Sequence, residues 1–279
     1  MKFKPRLLAA RLHRLVREFP VVVVSGARQV GKSTMLNHEL TWQSVTFDPA
    51  VDVGAAREDP DLFLSNHPGP LVLDEIQYAP ELVAAIKRRV DRSGAPGQFV
   101  LTGSQQWAVL KTAGESLAGR AAFLDLEGFS LAECAEQVRE DHWLARYLDD
   151  PEAFTAAAAE RLNLGRTLYE QLWTGSLPRA DTLSRELIGD FYRSYLRTYI
   201  ERDVRLLSEV GDWQLFGRFV QLVAALSAQE SNDSHLGREL GITPQTARRW
   251  LAMLVATFQW FEVPGYHGNA VKRIAGRSE

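Results

Sequence analysis

Residues 26–33 read Gly-Ala-Arg-Gln-Val-Gly-Lys-Ser: two glycines with four residues between them, then a lysine and a hydroxyl, with Thr34 next. This set of groups suits a chain of phosphates. Glycine tolerates backbone angles that turn successive amide N–H groups to one side, making a nest for an anion. Lysine supplies a charge that can bridge two phosphate oxygens, and a serine hydroxyl is a hard oxygen donor for magnesium. The spacing G-x-x-x-x-G-K-S is that of a P-loop. The expected ligand is ATP with Mg2+, and the expected contacts are Gly26, Ala27, Arg28, Gln29, Val30, Gly31, Lys32, Ser33 and Thr34.

A phosphate loop of this kind needs a second acid to complete the magnesium shell. Pro70-Leu71-Val72-Leu73-Asp74-Glu75 is an apolar run that ends in two carboxylates. Asp74 is expected to hold magnesium together with Ser33, directly or through water, and Glu75 to polarise the attacking water as a general base. Further candidates surround this set. Ser104 and Gln105 follow another apolar run, where a polar group either orients the attacking water or caps the strand end. Arg120 reads as an arginine finger, in cis or toward a neighbouring subunit, or as a surface ion pair. Arg28 either closes over the γ-phosphate or pairs with a loop carboxylate. Asp125-Leu126-Glu127-Gly128 has the D-x-x-G form of GTPase switches, but it follows the acidic strand and no N-K-x-D motif is present, so it reads as an ordinary turn.

Groups so far apart in sequence need a scaffold that brings them to one edge. Val21 to Val24 are four β-branched residues in a row, the mark of a strand buried on both faces in a parallel sheet. Val45–Asp48, Leu71–Asp74, Phe99–Gln105 and Ala121–Asp125 are four more strand candidates alternating with helical stretches. The expected fold is therefore α/β, a doubly wound and mostly parallel P-loop NTPase sheet. The extra strand before the acidic strand, and the second acid after the magnesium ligand, point to the additional-strand ATPase type. Leu7, Leu8, Leu12, Leu15 and Val16 recur at helical spacing, so an amphipathic helix precedes the core.

The motifs GARQVGKST, Asp48-Pro49, LVLDEIQYAPEL, FVLTGSQQ, ESLAGR and FYRSYLRTYIERDVRLL occur in the same order as in a prokaryotic family. The chain resembles AAA-type ATP-binding proteins that carry a C-terminal domain of unknown function, over about residues 5–275. The resemblance implies an ATP/Mg-binding core, a helical segment, a winged-helix module and a restriction-endonuclease-like region. By position it carries over Lys32, Ser33, Asp74, Glu75, Ser104 and Arg120. Two departures stand out. Gly175-Ser176-Leu177-Pro178 replaces the family's Gly-Gly-aromatic-Pro step, and the endonuclease-like portion is not expected within residues 1–279. The expected domains are 1–135 (ATPase), 136–212 (helical) and 213–279 (winged helix).

Beyond about residue 131 the chain reads as mainly helical. Phe191, Tyr195 and Tyr199 recur at i+4 on one face, and Pro151 and the 175–178 stretch read as boundary signals. Thr243-Pro244 is an N-cap followed by a first-turn proline. Ala247, Trp250, Leu251, Leu254 and Val255 then form an apolar stripe, and a short helix over 234–240 precedes them: a helix-turn-helix. Residues 258–263 and 270–274 read as the strands of a wing. In a DNA reader Gln245, Arg248 and Arg249 would approach bases, with Lys272 and Arg273 on phosphates. The same module in such ATPases also serves as a lid or a docking surface, so duplex DNA, a protein client and a second copy of the chain are all candidate partners.

The bulk numbers set outer bounds. The net charge is −3, but residues 1–20 carry +5 and residues 234–279 carry +3, which leaves the middle acidic. Either end can meet a polyanion. One cysteine, Cys134, allows neither an internal disulfide nor a cysteine zinc cluster, and the histidines lack metal-ligand spacing. The longest apolar runs fall short of the ~20 residues of a membrane helix. A cytoplasmic protein that does not enter membranes is the expectation.

Overall fold

The computed structural model describes residues 3–48, 53–103, 117–139, 143–157, 161–199, 204, 210–230 and 232–263. They form two compact units, Met1–Phe191 and Tyr192–Glu279.

In the first unit α1 (Ala9–Glu18) leads into β1 (Val21–Ser25), and α2 (Lys32–Glu39) into β2 (Gln43–Thr46). Then come α3 (Gly54–Glu58), α4 (Pro60–Asn66), β3 (Leu71–Asp74), α5 (Leu82–Ser93), β4 (Phe99–Gly103) and β5 (Ala121–Asp125). All four strand pairings are parallel, in the order β2-β3-β4-β1-β5. Five strands were expected and five form among the described residues, although β2 starts two residues before the predicted Val45.

The valine run forms the centre of this sheet. Val21, Val22, Val23 and Val24 are fully buried, because β1 has a neighbour on each side and cover on both faces. Val21 and Val23 share a core with Leu71, Leu73, Phe99 and Leu101 from the neighbouring strands, and with Ala56, Leu64, Leu82 and Ile86 from α3, α4 and α5. The alternate residues Val22, Val24, Val72 and Val100 point the other way and are buried too, and α1 packs against β1 with Leu12 fully enclosed. At roughly 1.5–3 kcal/mol for each buried aliphatic side chain, these two layers hold the strand ends in fixed register.

The expected helical stretch after residue 131 is broken into short pieces: α6 (Leu131–Cys134), α7 (Trp143–Asp149), α8 (Pro151–Ala156) and α9 (Leu168–Thr174). Asp150 and Thr167 side chains cap α8 and α9 through the amides of Ala153 and Glu170. The step at 175–178 packs against the turn after β5: Phe129 N–H donates to Ser176 O at 2.7 Å. A last helix, α10 (Ile188–Tyr199), crosses the division between the units.

The second unit is built on α11 (Trp213–Ala225), α12 (Asp233–Leu240) and α13 (Pro244–Ala256). Phe216 and Phe219 meet Trp250 edge-on, with centroids 5.3 and 5.4 Å apart. Thr243 caps α13 through the Thr246 amide at 3.1 Å, as its sequence predicts. Ala247, Trp250, Leu251 and Leu254 are buried, but Val255 is exposed, and Met253 and Ala256 complete the face instead. The first wing strand expected over 258–263 is not formed. Phe258 adopts a left-handed φ of 60°, and Gln259 and Trp260 N–H groups donate to Leu254 O, so this stretch closes the end of α13. The second expected wing strand lies outside the described residues. No helix among the described residues is long and apolar enough to cross a membrane.

Candidate nucleotide-binding site

The phosphate loop leaves β1 at Ser25 and enters α2 at Lys32, at the C-terminal edge of the sheet. Both glycines are required by the geometry. Gly26 has φ 150°, and a Cβ there would lie 2.1 Å from Leu126 O. Gly31 has φ 95° and caps α2, whose first amides face out of the loop side of the helix. Lys32 is buried, with Nζ donating to Gly26 O at 2.8 Å and Ala27 O at 3.0 Å. The loop thus encloses its own lysine, a charge on a flexible stem.

Strand order explains how the acids reach this loop. β4 lies between β1 and β3, so Asp74 stands one strand away from the loop strand, with space between them at the sheet edge. Ser33 spans that space: its hydroxyl donates to Asp74 Oδ2 at 2.6 Å. Asp74 is 5% exposed, and its other oxygen accepts from the Thr102 hydroxyl of β4. Thr102 in turn accepts the Glu75 N–H at 3.1 Å. Glu75 has φ 60°, and its carboxylate accepts from the Gln77 side-chain amide. Two oxygen donors, a hydroxyl and a carboxylate, side by side at the mouth of an amide nest fit a magnesium ion that accompanies phosphates.

Sequence reading brings together Lys32, Ser33, Asp74 and Glu75, and the structure does the same. Ala27, Val30 and Ser25 are buried in or under the loop, and Gln29 takes a left-handed φ of 63°. Ser104 and Gln105 lie outside the described residues. Arg120 is placed elsewhere. It immediately precedes β5, and its carbonyl accepts the Val21 N–H, so it stands at the N-terminal edge of the sheet. A five-residue strand, roughly 16 Å, separates it from the phosphate loop. Its guanidinium pairs with Asp91.

Thr102 is the member that residue reading missed. Nothing in Phe99-Val100-Leu101-Thr102-Gly103 marks a threonine as a bridge, because its role follows from the placing of β4 between the other two strands. Ser25 is another: its hydroxyl bonds Asp125 of β5 at the same edge, so the D-x-x-G turn acts as a fixed wall of the loop.

In the second unit Gln245, Arg248 and Arg249 are all exposed on the first half of α13, and Arg248 Nε pairs with Asp233 Oδ2 at 2.8 Å. Gly237 makes the turn possible, since a Cβ there would lie 2.7 Å from Ile242 O. Lys272 and Arg273 lie outside the described residues.

Two family models match the chain, one inside the first unit and one that straddles the boundary at 191/192. Residues 18–135 match the model of a family described as an AAA domain, and residues 165–278 match a domain of unknown function. Uncharacterized proteins of Mycobacterium tuberculosis and Mycobacterium bovis are each 29% identical over 277 residues, 98% of this chain and 56% of theirs. The chain therefore spans about half the length of the curated relatives it matches. Among solved structures, a Walker-type ATPase of Pyrococcus abyssi aligns with a TM-score of 0.55 at 14% identity, covering 89% of this chain and 88% of that one. That likeness shows the fold. The phosphate-loop motif and the parallel five-stranded sheet give the first unit the P-loop NTPase fold, and within it residues 18–135 are similar to AAA domains.

Proposed function

We propose that the first unit binds ATP with magnesium and hydrolyses it slowly, as a nucleotide-dependent switch. The observation that carries this reading is the continuous hydrogen-bonded set Ser33–Asp74–Thr102–Glu75 beside the phosphate loop. Gly26 to Thr34 would receive the phosphates. Lys32 would turn from the loop carbonyls to the β- and γ-phosphate oxygens, a rotation within the reach of its stem. Ser33 and Asp74 would hold magnesium, which neutralises charge on those oxygens when bound. Glu75 would take the proton of the attacking water, and Thr102 would keep the two acids in register.

The test is ATP binding and phosphate release with magnesium, on wild type, Lys32→Ala and Glu75→Gln. Lys32→Ala is expected to abolish binding. Glu75→Gln is expected to keep binding and lose about 10²–10⁴ in turnover, the usual contribution of a positioned base. Turnover unchanged in Glu75→Gln would remove that residue from the base role.

A second reading concerns partners. The exposure of Gln245, Arg248 and Arg249 at the start of the second helix of a helix-turn-helix supports contact with duplex DNA. Such binding would weaken steeply with salt and fall in an Arg248→Ala/Arg249→Ala double variant. A duplex titration at two salt concentrations checks it. Binding indifferent to both salt and the double variant would favour a protein client instead.

A further inference from the structure

Arg6 precedes α1 and belongs to no motif, yet it is one of the most enclosed charges in the first unit, at 4% side-chain exposure. Its Nε donates to Glu133 Oε1 at 3.0 Å, one terminal nitrogen to Val30 O at 2.7 Å, and the other to Glu127 O at 2.6 Å and Gly128 O at 3.4 Å. The guanidinium also lies 4.9 Å from the Phe129 ring centre. Glu133, likewise 4% exposed, is fully occupied: it also accepts the Leu7 N–H at 2.7 Å and the Ser130 N–H at 2.8 Å. Burying two charges is expensive, and breaking such a pair strands the survivor.

The contact with Val30 is the informative one, because Val30 lies inside the phosphate loop. The peptide joining Val30 to Gly31 is planar and trans, so its carbonyl and its N–H point in opposite directions. With the carbonyl held by Arg6 on the outer side of the loop, the Gly31 N–H is aimed to the inner side, where phosphate would lie. Steric repulsion alone does not fix this orientation. Gly31 has φ 95°, and glycine accepts backbone angles of either sign, so the peptide is free to turn over unless something grips it. Arg6 is the grip. A Cβ on Gly31 would lie 3.6 Å from the same guanidinium nitrogen.

The same segment is fastened further along. Lys4 Nζ bonds Cys134 O at 2.8 Å and pairs with Asp181 at 2.9 Å, and Asp181 also pairs with Arg166. Residues 4–7 thus tie the phosphate loop, the turn after β5, α6 and the 166–181 stretch to one another, all within the first unit.

We propose that Arg6 is a positioning residue of the nucleotide site: through the Val30 carbonyl it aims the Gly31 amide at the phosphates, and through Glu133 it couples phosphate binding to the seating of residues 4–7. This rests on the reading of the loop as an ATP site. Coupling of this kind is reciprocal: if a seated segment favours nucleotide, nucleotide favours the seated segment.

The experiment measures ATP–magnesium affinity and hydrogen exchange over residues 4–8, on wild type, Arg6→Lys, Arg6→Gln and Glu133→Gln, with the exposed Arg11→Gln as reference. Affinities are taken well below each variant's melting temperature. Arg6→Lys keeps a charge for Glu133 but has no fork with which to reach Val30 as well, and is expected to lose tenfold or more in affinity. Arg6→Gln is expected to lose more, and Arg11→Gln nothing. In wild type, ATP is expected to slow exchange of the Leu7 amide, and Lys32→Ala is expected to abolish that protection. Lower melting temperatures with unchanged ATP affinity would reduce Arg6 to a structural brace and overturn the proposal. Should the Arg6 variants fail to fold, the exchange measurement on wild type decides, since ATP binding without protection of residues 4–8 also overturns it. A wild type that binds no ATP would overturn the reading of the site itself, whereas wild-type binding matched by the Arg6 variants overturns this inference alone.

Discussion

Thr102 holds one hydroxyl between two acids, giving its proton to Asp74 and accepting the backbone N–H of Glu75. With the hydroxyl replaced by a methyl, a buried carboxylate oxygen and a backbone N–H both lose their partner. Thr102→Val preserves shape and is expected to cost about 1–3 kcal/mol of stability, the scale of a buried group left unsatisfied. It should also raise the magnesium concentration needed for ATP binding, whereas Thr102→Ser should hold close to wild type. A thermal melt and a magnesium titration check the two effects separately. The residues with fixed spacing, Lys32, Ser33, Asp74 and Glu75, are readable from the chain because a local motif carries them. Thr102 and Arg6 are not, because their partners are 28 and 127 residues away in sequence.

Among the elements, strands were more legible than helices. A run such as Val21–Val24, β-branched throughout and short, favours a strand enclosed on two faces, and the short apolar runs at 71–74 and 99–103 form buried strands as well. The helical character after residue 131 was legible but its division into short pieces was not, since caps at Asp150 and Thr167 restart the chain every few residues. The helix-turn-helix was legible from Thr243-Pro244 and its stripe. The first wing strand was not, because a left-handed residue at Phe258 returns the chain onto the end of α13. Within this module the close approach at Gly237 carries a prediction. Gly237→Ala would press a methyl to within 2.7 Å of Ile242 O and is expected to destabilise the second unit by about 1–3 kcal/mol, the range for overpacking. Gly211→Ala, which meets nothing within 4 Å, should be close to neutral. Urea unfolding followed by tryptophan fluorescence compares the two.

At the scale of the whole molecule, the position of Arg120 separates two ways of working. On its own subunit the guanidinium is a strand's length from the phosphate loop, far beyond its reach. If it serves catalysis, it serves a neighbour's site. Arg120→Ala and Lys32→Ala should then each be inactive alone, and mixing them should restore part of the turnover, because mixed assemblies contain an intact loop facing an intact arginine. Full activity of Arg120→Ala by itself would leave only the surface pair with Asp91.

The partners of β1 also set an order of events as the chain is made. The phosphate-loop strand is paired on one side by residues 99–103 and on the other by residues 121–125. Closing such distant pairings spends chain entropy before any contact repays it, which makes parallel sheets of this kind slow to assemble. As synthesis proceeds, the motif at 26–33 emerges early and waits, without walls, for strands that start at Phe99 and Ala121, 78 and 100 residues beyond Val21. Its guanidinium grip waits longer still, for Glu133. A nascent chain halted before residue 121 would display the whole phosphate-loop sequence and have nowhere to seat a nucleotide.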